Sequence, residues 1–252
     1  MIRLRSAALF LAILLTSFDM PAFAADGLPD GFVRLRSVDP TVRQAIRYAG
    51  SWNFTGRPVP GYATAECILT KPAAEALRRV QAALKGDGLG LKVFDCYRPA
   101  RAVAAFVRWA RAPGGDAALK RRYHPKYHRR ELLGGYIATR SGHSRGSSVD
   151  LTIVDLRHLP ENEDVLRDGC GPHDGGAERD MGTGFDCFDP LSRTASSAVA
   201  ETARADRRRL LDVMRAHGFR NYAGEWWHFT LRGEPFPHSY FDFEVTAAPE
   251  TE

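Results

Sequence analysis

The 252-residue chain carries only four cysteines, and its one long apolar run lies within the first two dozen residues. Beyond that start no stretch approaches the roughly 20 apolar residues a membrane-spanning helix needs. No internal repeat or low-complexity tract is visible, which excludes solenoid and fibrous classes. No Cys-x-x-Cys pair occurs, so the cysteines do not read as a thiolate metal site. Basic clusters such as Arg121-Arg122, Arg129-Arg130 and Arg207 to Arg209 are not interleaved with aromatic residues, so no nucleic-acid surface is indicated. With 35 Lys and Arg against 30 Asp and Glu, the net charge of +5 is mild and reads as a solvated surface.

What is present begins with an export signature. Arg3 and Arg5 form a basic start, Ala7 to Leu15 is apolar, and Ala22-Phe23-Ala24 supplies a small-x-small cleavage site. Residues 1–24 therefore read as a signal peptide, and no Cys follows Ala24 to take a lipid anchor. The expected mature chain, 25–252, is one domain, periplasmic or secreted, with no stable membrane insertion. In an oxidising compartment Cys67, Cys96, Cys170 and Cys187 favour disulfides. Of three possible pairings, Cys67–Cys96 with Cys170–Cys187 is preferred, because the second bond would staple a Gly- and Asp-rich loop.

Periodicity sets the expected elements. Residues 26–66 read as mostly irregular, with Pro29, Pro40, Pro58 and Pro60 as punctuation. A helix is signalled from Thr70 as cap and Pro72 to Gly86, with Ala73, Leu77, Val80 and Leu84 on one face. Alternating Leu89, Leu91 and Val93 predict a strand to about Cys96, and Pro99 opens a second helix ended by Pro113-Gly114-Gly115. After a basic, irregular stretch, strands are expected at 136–140 and around Val149, Leu151 and Ile153. Residues 157–195 read as a long loop, a third helix as roughly 198–216 burying Leu210, Leu211 and Met214, and short strands as 219–222 and 227–231. This mixture argues an α+β fold with a small, mostly antiparallel sheet flanked by helices.

Two distant segments hold zinc-type ligands: Ser141-Gly-His143-Ser-Arg-Gly146-Ser-Ser-Val-Asp150 and Glu225-Trp226-Trp227-His228. A catalytic zinc keeps three protein ligands and one open position, and His143, Asp150 and His228 make such a set. An acid on an apolar strand is itself a hint, since a buried carboxylate without a partner is costly. Glu225 lies three residues from His228, placed to take a proton from a water at the metal. Arg98, at a strand end, is the candidate cation for charge developing on a carbonyl oxygen. Each residue also has a plainer reading: His143 as a loop histidine, Asp150 as a turn cap, the tryptophans as core, Arg98 as a partner of Asp95. His124 and His128 are not expected to bind metal, because Pro125 interrupts the helix their spacing needs.

The pattern S-x-H-x-x-G-x-x-x-D with E-x-W-H resembles the zinc D,D-peptidases, which include the VanX-type D-alanyl-D-alanine dipeptidases and the D,D-carboxypeptidases. Further matching segments are Tyr48-Ala49, Trp52 to Gly56, Asp95 to Ala102, Met181-Gly182, Phe185-Asp186 and Asn221 to Phe243, covering most of residues 40–245. The resemblance implies a zinc D,D-peptidase-like fold and one zinc per chain on His143, Asp150 and His228. It implies Glu225 as base and Arg98 as transition-state cation. It also implies that Asp186, with Tyr48, holds the substrate ammonium and that Ser141 lies in the pocket. The implied reaction is hydrolysis of the small dipeptide D-Ala-D-Ala to two D-alanines through a metal-activated water. The alternative is a D,D-carboxypeptidase or endopeptidase acting on peptidoglycan stems. Ser148 stands where the family usually has Ala, and the signal peptide and cysteines differ from the cytoplasmic resistance enzymes.

Overall fold

In a computed structural model, residues 27–159, 169–171 and 176–249 are described; the expected signal peptide, 1–24, lies outside them. The elements in chain order are β1 (Phe32–Arg34), α1 (Leu35–Val38), β2 (Arg43–Gln44), β3 (Ile68–Thr70), α2 (Lys71–Lys85), β4 (Leu89–Asp95), α3 (Ala100–Arg111), α4 (Ala117–Tyr123), β5 (Ser148–Asp155), α5 (Glu201–Ala216), β6 (Phe219–Asn221) and β7 (His228–Leu231). Five strands form one sheet in the order β2-β4-β5-β7-β6, and β1 pairs with β3 in a separate ribbon. Only β2–β4 is parallel; the other pairs are antiparallel. This is a single-domain α+β fold.

The two long strands are the centre of the molecule. Every residue of β4 and β5 is buried, so both sheet faces are covered. Helix α2 lays Ala73, Leu77, Val80 and Leu84 against the sheet, and each large apolar side chain so buried is worth about 1.5–3 kcal/mol. Helix α5 packs on the other elements through Leu210 and Met214, while Leu211 is only partly buried. Thr70 precedes α2 but does not cap it. Its hydroxyl instead lies 2.7 Å from Ser147 Oγ, tying this ribbon to the loop before β5.

Three expectations are corrected. Residues 136–140 form no strand. Leu132 O accepts from Tyr136 N and Ile137 N, and Gly134 N donates to Ile137 O, so the segment curls on itself instead of joining a sheet. The basic stretch before it is partly helical, because Asp116 caps α4 by accepting from Ala118 N at 2.6 Å and Leu119 N at 3.0 Å. Between 26 and 66, β1, α1 and β2 interrupt what the sequence left irregular. The long loop does lack helices and sheet strands among its described residues, apart from one turn of 3-10 helix at Pro190–Ser192.

Cys67 is bonded to Cys96 and Cys170 to Cys187. Of the two, the first joins the strand ribbon to the end of β4. The second closes the loop region on the residue that follows Asp186.

Candidate metal centre and active-site cleft

Three neighbouring strands place three side chains in one row. In the sheet register Asp95 on β4 faces Asp150 on β5, and Asp150 faces His228 on β7. The β4 register shifts between Val93 and Asp95. A bulge of this kind re-aims a side chain, and here it brings Asp95 into line with Asp150.

His143 reaches this row from the preceding loop. It sits in a 3-10 turn, Gly142–Arg145, with Ser141 Oγ accepting from His143 N at 3.3 Å. Gly146 ends the turn at φ 81°, and a Cβ there would come within 2.2 Å of the Phe32 ring, so only glycine fits. His143 Nδ1 donates to Cys96 O at 2.7 Å, which leaves the Nε2 lone pair pointing away from the backbone. Nε2 lies 3.0 Å from His228 Nδ1 and 3.3 Å from Asp150 Oδ1, and His228 Nδ1 lies 3.0 Å from the same oxygen.

Among the described residues these three side chains are the one group with ligand atoms converging, all within 4.8 Å of one another. Electrostatics suits a cation. Burial alone would raise the Asp150 pKa, but His143 and His228 outweigh it and hold this carboxyl well below the usual range. Burial lowers His228, with Asp150 opposing, which favours the neutral imidazole a metal requires. Two imidazoles and a carboxylate form a catalytic zinc donor set, so the residues fit the group. His124 and His128 lie outside this group: His124 Nδ1 donates to Tyr127 O, and His128 caps a short turn with Glu131.

Arg98 flanks the row. Its Nε donates to Asp95 Oδ2 at 2.8 Å, and Nη2 lies 2.8 Å from Asp95 and 3.5 Å from Asp150. Its guanidinium also stands over the Tyr48 and Phe106 rings, 5.1 and 5.2 Å from their centroids. Arg98 thus pairs with Asp95 and faces the cleft as well. Asp95 is fully buried and accepts a further bond from the Tyr62 hydroxyl at 2.7 Å. In the sequence Asp95 stands out only as a partner of Arg98, and no local signal points to Tyr62, 33 residues away.

Glu225 lines the same cleft from the turn before β7. Its amide donates to Tyr222 O at 3.0 Å, and Asn221 Nδ2 donates to both Glu225 O and His228 O. Burial, with Asp150 adding and Arg98 opposing, pushes the Glu225 carboxyl up to about 8. A cation on the neighbouring ligands would favour its charged form.

Asp186 arrives from the long loop. It is the one described non-glycine residue with positive φ, 58°, a conformation that costs of order 1–3 kcal/mol. Both its carboxylate oxygens accept from the Tyr48 hydroxyl, at 3.2 and 3.0 Å. The segment around it is held from outside. Arg207, 2% exposed, donates to the carbonyls of Met181, Leu191 and Arg193. No carboxylate is among those acceptors, and burial pulls its pKa down to about 10. Trp226 binds the same segment through Thr183 Oγ1 and Ser192 O. The basic cluster at 207–209 reads in the sequence as solvated surface, but the fold buries Arg207.

The cleft measures about 270 Å³, and Tyr48, Arg98, Ser141, His143, Asp150, Asp186, Glu225 and His228 all line it. Every residue singled out in the sequence for metal, catalysis or substrate therefore meets in one cavity. That volume is below the roughly 300–1,000 Å³ of pockets for drug-sized ligands.

A family model described as D-ala-D-ala dipeptidase, Peptidase_M15, matches residues 29–163 and 170–246. A D-alanyl-D-alanine dipeptidase from Streptomyces coelicolor is 42% identical over 205 residues, 81% of this chain and 93% of the relative. One from Enterococcus faecium is 38% identical across 85% of this chain and 98% of its own. One from Escherichia coli is 29% identical across 87% and 95%.

Proposed function

From the premise that the chain belongs to the D-Ala-D-Ala dipeptidase family of metallopeptidases, we infer that it hydrolyses D-Ala-D-Ala to two D-alanines. The observation carrying this reading is that a buried anion, Asp186 with Tyr48, shares a small cleft with the three-ligand row and Glu225. A free ammonium leaving water needs such a partner. A peptide extended at its N-terminus would bring no ammonium to match that anion.

His143, Asp150 and His228 would hold one divalent ion, for which we propose zinc. When bound, such an ion supplies Lewis acidity that polarises the scissile carbonyl and acidifies water. Glu225 takes the proton of the attacking water and delivers it to the departing amine. Arg98, braced by Asp95, donates toward the carbonyl oxygen as negative charge builds there. Asp186 and Tyr48 orient the substrate by its ammonium, and Ser141 borders the bound dipeptide. One water is consumed and the single peptide bond is broken.

We further propose that residues 1–24 direct export and that the enzyme works outside the cytoplasm, a reading supported by its two disulfides. N-terminal sequencing of the exported protein should begin at Ala25. The activity is tested by measuring D-alanine released from D-Ala-D-Ala and, separately, from a peptidoglycan pentapeptide. Release from the dipeptide alone, abolished by a chelator and restored by zinc, is expected. Release from the pentapeptide would replace this reading with cell-wall carboxypeptidase activity.

A further inference from the structure

The cleft has a closed end and an open one. Behind Asp186, itself 4% exposed, Tyr48 packs against the rings of Phe54 and Phe185, and Phe54 against Phe188. A substrate anchored there by its ammonium cannot extend further. Of the three ligand side chains, His143 is 1% and Asp150 3% exposed, whereas His228 is 18% exposed. The mouth therefore lies on the His228 side.

Tyr222 stands at that mouth. It is 48% exposed, one of two large hydrophobic side chains left in solvent among the described residues. Its ring meets His228 edge-on, with centroids 6.0 Å apart and planes at 83°. Its hydroxyl donates to Gly135 O, on another segment lining the cleft, at 3.4 Å, a loose contact that yields easily. The ring's seat is fixed from below, since a Cβ on Gly224 would come within 2.7 Å of it. The backbone at 222 is fixed too, by Tyr222 N donating to His228 O.

Resting on the dipeptidase reading, we propose that Tyr222 is a specificity residue that blocks the C-terminal side of the cleft, so that a substrate anchored on Asp186 has room for two residues. Peptides extended at the C-terminus meet the ring, and rejecting a competitor by a built-in clash is a common route to selectivity. Asp186 would guard one end and Tyr222 the other.

The test compares zinc-loaded wild type and Tyr222→Ala on D-Ala-D-Ala, D-Ala-D-Ala-D-Ala and N-acetyl-D-Ala-D-Ala, with metal content measured alongside. In the tripeptide the bond next to the free ammonium is cut, one water giving D-Ala and D-Ala-D-Ala. Tyr222→Ala should raise kcat/KM for the tripeptide relative to the dipeptide by about tenfold or more, leaving the N-acetyl compound refractory. Tyr222→Phe should keep the wild-type ratio. Gly224→Ala, which pushes the ring from its seat, should move the ratio in the same direction as Tyr222→Ala. Because each ratio is taken on one preparation, partial unfolding cancels. An unchanged ratio in an active, metal-replete Tyr222→Ala enzyme, or an equal gain on the N-acetyl compound, overturns the gate alone. A wild type inactive on the dipeptide overturns the function beneath it as well.

Discussion

The two halves of the cleft are built by opposite means. On the metal side, Asp95, Asp150 and His228 are aligned by strand register, and every residue of β4 and β5 is buried. On the substrate side, Asp186 sits in an irregular segment in a strained conformation. There its position depends on one disulfide, the buried Arg207 and the Tyr48 hydroxyl. A hydrogen-bonded ladder fixes many side chains at once, whereas a loop must be pinned point by point. Damage to the first half should therefore appear as lost chemistry, and damage to the second as lost binding.

The largest expected effect lies on the metal side. Glu225→Gln should lower kcat about a hundredfold or more while retaining bound metal, measured by steady-state kinetics and metal analysis; near-normal turnover would remove Glu225 from its role. On the other side, Asp186→Asn removes a charged partner worth about 1.5–3 kcal/mol. It should raise KM about tenfold or more with kcat much less affected. A fall confined to kcat would erase the contrast between the halves.

The disulfides sharpen the comparison. Replacing Cys170 and Cys187 together by serine should cost about 3 kcal/mol of stability and raise KM several-fold, read by thermal unfolding and kinetics. Replacing Cys67 and Cys96 frees the backbone whose carbonyl holds His143 Nδ1. That variant should lose metal affinity first, as followed by chelator competition. Identical kinetic signatures from the two pairs would refute the division.

A further effect, confined to the metal-free protein, is a pH dependence of its stability. Glu225 titrates at about 8 when folded, against an ordinary 4.5. Between those values the unfolded chain gives up a proton that the folded chain keeps, so this group's contribution to stability is full below about 4.5 and is lost as pH rises toward 8. The melting temperature of metal-free wild type should fall relative to metal-free Glu225→Gln between pH 5 and 8. Parallel curves would show that Glu225 is not held in its neutral form.

Much of this was legible in the sequence. The apolar spacing located α2, β4, α3, β5 and α5 to within a few residues, because those patterns repeat over one element's length. The residues of the candidate site were also readable, since His143, Asp150, Glu225 and His228 fall in two short motifs. Helix α4 had a local signal in Asp116 that its basic residues obscured. The curl at 136–140 had none, because an alternating pattern becomes a strand only where a neighbouring strand can pair with it.

By itself, then, the sequence determined the long helices and strands and which residue types are available for chemistry, since periodicity and ligand chemistry act over a few residues. Tertiary structure alone decided that a bulge in β4 sets Asp95 beside Asp150, that Tyr62 braces Asp95, that Arg207 clamps the Asp186 segment and that Tyr222 spans the mouth to Gly135. Those contacts join residues 14 to 87 positions apart or depend on strand register, and no local pattern encodes a partner that only the folded chain brings near.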